Sequence, residues 1–355
     1  MQKLALLIFI SAFLASFPKL LLAQEETEPA LHQGFDFQPP SFLDVALPEY
    51  PAISLMNGRE GWVVVNYMVD PDGKAYEAIV LDSSGDKRME ESTLESLEQS
   101  TFNPARFNGD VVDGSLTRKY TFALVDGGIG ASDYFARKYS AFNVAIKKDD
   151  FENTRDLLAD MEKSAQENLY EYAIYNFSAY RLAVLEGDLD TQLDFLNKAL
   201  SYSSKSSGSS RNYLSADILP SAYAELFKLE VQAGLYAEAI GTFRYMVEEG
   251  LAEQRMIEAF RPTYDQLVAI KNDDSAYSIE AEIDELLSWS IRLHKSAFYL
   301  SNVEGKVDEL KLRCQSAYRV FPYQEEATYN LPESWGRCNL QVIGIPDTTF
   351  YLTQQ

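Results

Sequence analysis

Two cysteines, Cys314 and Cys338, two histidines, His32 and His294, and 54 carboxylates hold most of this chain's capacity for chemistry. The histidines are far apart, and no cysteine and histidine stand at ligand spacing, so a structural zinc site is not expected. A glycine-rich phosphate loop, a GxSxG elbow and an HExxH pair, which place reactive groups by local spacing alone, are all missing. Acidic clusters such as KKDDFE and KNDDS fall at helix starts or loops, where solvated caps explain them. Nothing selects a catalytic pair from so many acids, so the sequence assigns no enzyme activity, cofactor or metal. The remaining chemistry is covalent. An even cysteine count in an exported chain predicts a Cys314–Cys338 disulfide, which in the chain-entropy account restricts the unfolded state by about 3 to 4 kcal/mol.

Export is read from the first residues, MQKLALLIFISAFLASFPKLLLAQEE. A lysine precedes an apolar run from Leu4 to Phe17, and small and apolar residues lead to Ala23, so residues 1–23 are predicted to be a signal peptide cut after Ala23. The run is close to the roughly 20 residues of a membrane span, although Pro18 and Lys19 interrupt it, so an uncleaved anchor is the alternative. Localisation is accordingly periplasmic, or inner-membrane anchored and facing the periplasm. A formal charge of −23 argues against nucleic acid or anionic lipid as partners and leaves proteins as the expected ones. At 355 residues, 46% of them apolar, the chain is long enough for several domains.

The elements that must position any site change character along the chain. Residues 24–47 are polar, acidic and proline-bearing without periodicity and read as a tether. From Trp62 the residues alternate: Val63, Val65, Tyr67 and Val69 share one face, and Trp62, Val64, Asn66 and Met68 the other. The DPDG turn at 70–73 closes a hairpin whose return strand runs to about Asp82. A helix follows with Met89, Thr93, Leu94 and Leu97 on one stripe. FNPARFNGDVVDG reads as loop, and RKYTFALV at 118–125 as a third strand. Strand, strand, helix, strand makes a small α+β unit at 48–126 with its helix over one sheet face.

These residues resemble the TonB C-terminal domain across about 75 positions. The resemblance rests on Tyr50-Pro51, Gly61, Asp72-Gly73, Phe102 with Pro104, and the closing KYTFAL, in that order. It implies that an extended segment, in the family a stretch of an outer-membrane receptor, adds as a strand beside the last strand, here Arg118 to Leu124. The implied contacts are Arg118, Tyr120, Phe122 and Leu124, with Tyr50 and Pro51 at the entry, where Tyr50 packs under the first helix or touches the partner. Isolated domains of this family also dimerise through that edge, so a homodimer stands as a second use. Two departures from the family's force transducer weigh against force transmission: residues 1–31 hold no histidine, and the tether reaches at most about 90 Å.

From Tyr134 to His294 the pattern is helical, with self-similarity at tetratricopeptide-like spacing. The units turn at Asp149, Gly187 and Gly234, and SSKSSGSS at 203–210 reads as a surface insertion. Such a stack would offer a second protein a concave surface. Residues 296–355 return to strands and read as a small β domain held by its disulfide. The predicted fold is therefore α+β and multidomain: a three-stranded antiparallel sheet with helices, then helical repeats, then a stapled β domain. The predicted function is non-enzymatic recognition of an envelope protein by strand addition; the alternative is a membrane-anchored component of TonB-type energy transduction to outer-membrane transport.

Overall fold

The computed structural model describes residues 36–124, 130–165, 168–201, 213–285 and 287–355. The predicted signal segment, His32 and the serine-rich stretch 203–210 lie outside them. The first unit comprises β1 (Phe37–Gln38), β2 (Ser41–Asp44), α1 (Ala52–Met56), β3 (Gly61–Val69), β4 (Ala75–Ser83), α2 (Lys87–Glu98), β5 (Thr101–Asn103), β6 (Ala105–Phe107), β7 (Asp110–Val112) and β8 (Gly114–Phe122). Its main sheet is antiparallel in the order β4-β3-β8, the expected three strands. In the hairpin turn Asp70 accepts the N–H groups of Asp72 and Lys74 at 3.0 and 2.8 Å. Gly73 takes φ +78° there, and a side chain would meet the Phe102 carbonyl oxygen at 2.2 Å, so only glycine fits. Asp86 caps α2 by accepting the Arg88 N–H. The helix then buries Met89 against Val63 and Phe122, and Leu97 against Val65, Tyr67 and Tyr120. Each such side chain contributes on the order of 2 kcal/mol on leaving water.

Two readings are corrected here. The stretch after α2 is not plain loop but three short strands. β6 and β7 form a hairpin on Asn108 (φ 49°) and Gly109 (φ 89°), the left-handed pair that a tight hairpin needs. The tether is not free either: β1 pairs with β6, and β2 with β5, so the chain from Phe37 is sewn onto the domain. Strands of two to four residues carry no period to read, and their partners lie 57 to 70 positions away.

Among the described residues seven helices follow: α3 (Asp133–Ile146), α4 (Phe151–Ala165), α5 (Leu169–Glu186), α6 (Leu189–Leu200), α7 (Leu219–Gln232), α8 (Tyr236–Glu248) and α9 (Gln254–Ile270). Each packs on the next. The turns between α3 and α4, α5 and α6, and α7 and α8 sit at Asp149, Gly187 and Gly234, all left-handed, at φ 57°, 80° and 73°. Ser132, Asn168 and Asp188 cap α3, α5 and α6. The helical run stops at Ile270, short of the expected His294, because YSIEAE alternates and enters a sheet instead.

The last unit is accordingly larger than expected. Its strands are β9 (Tyr277–Glu282), β10 (Ser288–Arg292), β11 (Ala297–Glu304), β12 (Val307–Cys314), β13 (Tyr318–Pro322), β14 (Tyr329–Asn330), β15 (Cys338–Gly344) and β16 (Thr349–Gln354). They form two four-stranded antiparallel sheets, β10-β15-β12-β13 and β14-β11-β16-β9, over a shared core that includes Leu310, Leu340, Phe298 and Leu352. Cys314 and Cys338 face each other on β12 and β15 and are joined as a disulfide.

The three units pack together through the second face of β3. Trp62, fully buried, belongs to the core of the helices and sets its ring 4.5 Å from that of Tyr172. Glu60 accepts the N–H groups of Leu124 at 3.0 Å and Leu169 at 3.3 Å, tying the end of the small domain to the start of α5. Arg313, 1% exposed, reaches from β12 to the Glu77 carbonyl at 2.5 Å and to Asn66 Oδ1 at 3.4 Å. The apolar excess of the hairpin is explained by this: both faces of β3 are covered.

Candidate strand-docking site

β8 is an outer strand, and among the described residues no strand pairs with its far side. Its nine register pairs with β3, from Gly61–Phe122 to Val69–Gly114, run without a shift. The direction of the main-chain groups follows from β3. The Trp62 carbonyl accepts the Ser84 N–H at 3.0 Å, and the Trp62 N–H donates to Ser84 Oγ at 3.1 Å, so both point to β4. Alternation turns Val63 and Val65 towards β8, opposite Tyr120 and Arg118. Ser115, Thr117, Lys119 and Thr121 then direct their N–H and C=O groups outward.

A cleft of about 500 Å³ runs along this edge, lined by Phe42, Leu116, Thr117, Arg118, Lys119 and Ser201. One wall is the N-terminal arm: the Arg118 guanidinium lies 4.4 Å from the Phe42 ring and 4.8 Å from that of Tyr120. The other wall is the end of α6, where the Lys119 Nζ donates to the Ser201 carbonyl, one of the acceptors a helix leaves without an internal partner. Burial pushes the Lys119 amine down to about 8, against the opposing pull of Asp82.

The side chains named from the sequence fall into different places. Tyr120 and Phe122 are buried towards α2, so their side chains belong to the core and only their strand borders the cleft. Leu124 is half-buried, with its N–H held by Glu60. Tyr50 is half-buried, donates its hydroxyl to the Arg59 carbonyl and packs edge-on to Phe122 at 5.5 Å. Pro51 is the N-cap of α1. Of the six, Arg118 alone lines the cleft with its side chain. Thr117, Lys119, Phe42 and Ser201 were not named from the sequence. Thr117 and Lys119 were legible in principle, as the polar alternates of a strand whose other face is apolar; Phe42 and Ser201 arrive through packing. Among the described residues, no group of three or more His, Cys, Asp or Glu converges as metal ligands, and no helix is long and apolar enough to cross a membrane.

The family model for the Gram-negative bacterial TonB protein C-terminal region matches residues 46–124, the unit that carries this edge. Residues 46–124 are a TonB C-terminal domain. Protein TonB of Vibrio cholerae is 31% identical over 93 residues, which make up 24% of this chain and 38% of that protein. The chain thus spans 38% of the length of the curated relative it matches. A solution NMR structure of the Pseudomonas aeruginosa TonB C-terminal domain covers 26% of this chain and 91% of its own, at 24% identity and a TM-score of 0.23. The TonB C-terminal domain of the present chain is embedded between an N-terminal arm, a helical stack and a β-sandwich.

Proposed function

We propose that the protein is a non-enzymatic module of the cell envelope that takes an extended segment of another protein as an added strand on β8, in the outer-membrane transport work of the TonB family. The observation that carries this reading is the regular outer edge of β8 beside an open cleft. Main-chain hydrogen bonds would supply affinity, and the cleft walls specificity. An outer-membrane receptor segment is the partner suggested by the family, and the paired helices, read as tetratricopeptide-like, supply a surface for a second protein. The arm also shortens the tether. With residues from Phe37 onward paired into the domain, residues 24–35 span at most about 40 Å rather than about 90 Å. That favours a protein working close to its point of attachment or export over one that reaches across the envelope.

A photoreactive amino acid at Thr117, with Leu81 on β4 as control, tests the reading in the intact envelope. Crosslinks to another polypeptide at Thr117 and none at Leu81 are expected. Crosslinks only between copies of this chain would turn the edge into a dimer interface, and the absence of any would remove strand addition. N-terminal sequencing of the exported protein decides its localisation: a start at Gln24 fits a periplasmic protein, and an intact Met1 end fits an anchored one.

A further inference from the structure

Beyond Leu116 and Thr117 the cleft continues into a second one of about 280 Å³, which shares those two residues and is lined also by Ser115, Arg292, Arg313 and Arg337. No carboxylate lines either space. That is unusual placement for a chain with 54 acids against 31 bases. The three arginines come from β10, β12 and the loop before β15, so the β-sandwich, not the TonB domain, brings them to the end of β8.

Their charge is not cancelled locally. Arg292 and Arg337 are exposed, and neither enters an ion pair among the described residues. The carboxyls nearest Arg292 are Glu230 and Glu238, whose Oε1 accepts the Arg292 N–H at 3.3 Å. Burial pushes Glu230 up to about 8, so it is largely protonated at neutral pH, and burial raises Glu238 as well. Arg313 meets one carboxylate, Glu77 at 3.5 Å, which Lys311 shares at 3.2 Å, and its buried Nε has no hydrogen-bond partner. Guanidinium groups that line a cleft free of carboxylates, two of them exposed, are the arrangement that selects a carboxylate.

We infer that the arginine-lined end of the β8 cleft holds acidic side chains of the partner segment, flanking the stretch that pairs with the strand. The inference rests on strand addition at β8. It gives the added segment a composition: alternating residues along the edge, then glutamate or aspartate at the Ser115 end.

Fluorescence anisotropy with the full chain and synthetic peptides tests it. The probes are an alternating threonine–valine peptide carrying glutamates at one end or the other, and the same peptides with glutamines. In one orientation the glutamate peptide should bind about tenfold more tightly, and the advantage should shrink with added salt. The double variant R292Q/R337Q should erase that advantage and leave the glutamine peptides unaffected; R337Q alone, away from Glu230 and Glu238, should erase part of it. Equal binding of glutamate and glutamine peptides, or an advantage that survives the double variant, overturns the arginine assignment and leaves strand addition standing. Failure of every peptide to bind removes strand addition itself, and the assignment with it. A rise in affinity when Glu25, Glu26 and Glu28 are replaced by glutamine would give the site to the chain's own acidic N-terminal stretch and overturn a partner's claim to it.

Discussion

β4 and β8 are the two outer strands of one small sheet and face opposite fates. β4 carries two register shifts against β3, at Val64/Val65 and Asn66/Met68, each leaving an extra residue on β4. Within the second, Glu77 adopts φ 49°, its carbonyl accepts from Arg313, and its carboxylate meets Lys311. Bulges, a left-handed residue and side chains from another domain are the devices that stop an edge from recruiting a further strand. β8 has neither a bulge nor a left-handed residue: its register is unbroken, and its far side opens on a cleft whose walls other parts of the chain supply. The sheet thus guards one edge and leaves the other regular, and the proposed strand addition rests on that asymmetry.

The largest expected effect breaks the protected edge. Arg313→Ala removes a buried guanidinium that binds the part-buried Glu77 carbonyl and the buried Asn66 Oδ1, and leaves both acceptors without that donor. Each buried acceptor left without its donor costs on the order of 1 to 3 kcal/mol, so a total loss of about 3 kcal/mol in urea unfolding is expected. Lys311→Ala, which deletes a partly exposed ion pair with the same Glu77, should cost less than about 1 kcal/mol. Equal losses for the two would mean that Arg313 is no more than a surface contact.

The second effect concerns two buried titratable groups away from both edges, Glu230 of α7 and His294. Glu230, 4% exposed, has its carboxyl raised to about 8 by burial first, with Glu238 adding to the rise and the Thr242 hydroxyl opposing it. An acid whose folded value lies above its unfolded one, near 4.5, contributes stability that is complete below 4.5 and lost as pH rises through about 8. Glu230→Gln keeps the shape without the ionisation. It should therefore match the parent at pH 4 and exceed it by about 2 kcal/mol at pH 9, after allowance for relaxation of the site. His294 runs the other way. Its Nε2–H donates to the Leu267 carbonyl at 2.9 Å, and burial lowers its value to about 4, so its contribution is present above about 6.5 and lost as pH falls towards 4. Thermal melts of His294→Gln against the parent should thus converge on acidification.

How much of this was legible depends on the range of the interactions. The hairpin, α2 and the disulfide were written locally: alternation from Trp62, the DPDG turn, the stripe from Met89 to Leu97, and two cysteines in a chain read as exported. The turns at Asp149, Gly187 and Gly234 were also visible, because each needs a residue that tolerates the left-handed region. The pairing of the arm with β5 and β6 was not, since such strands are defined by their partners. Nor was the reason that Trp62, Val64 and Asn66 look like a second core face. Alternation says that a face is apolar; it does not say that helices and a β-sandwich will cover it. The site suffered most from this. Tyr120 and Phe122 are the conspicuous letters of the last strand, yet they point into the domain, and the cleft is lined by plainer neighbours and by residues from three other parts of the chain.

The smallest effect separates the two edges most directly. Thr117 is exposed, and by the alternation along β8 its N–H points away from β3, so Thr117→Pro removes no main-chain bond of the ladder; it does remove the hydroxyl that accepts from Asn66 Nδ2 at 2.9 Å, a donor that keeps Ser115 Oγ and the Leu116 carbonyl. Proline is tolerated at such edge positions, and the change in unfolding free energy should stay within about 1 kcal/mol. What proline does remove is a donor that an added strand would need, and its ring blocks close approach. Binding of the alternating threonine–valine peptide should therefore weaken by at least about tenfold, equivalent to about 1.4 kcal/mol. Leu81→Lys places a bulky charge at a bulge of β4 and should leave that binding unchanged. If instead Leu81→Lys weakens binding and Thr117→Pro does not, the edge that recruits a strand is β4, and its bulges and contacts serve only to dock the β-sandwich.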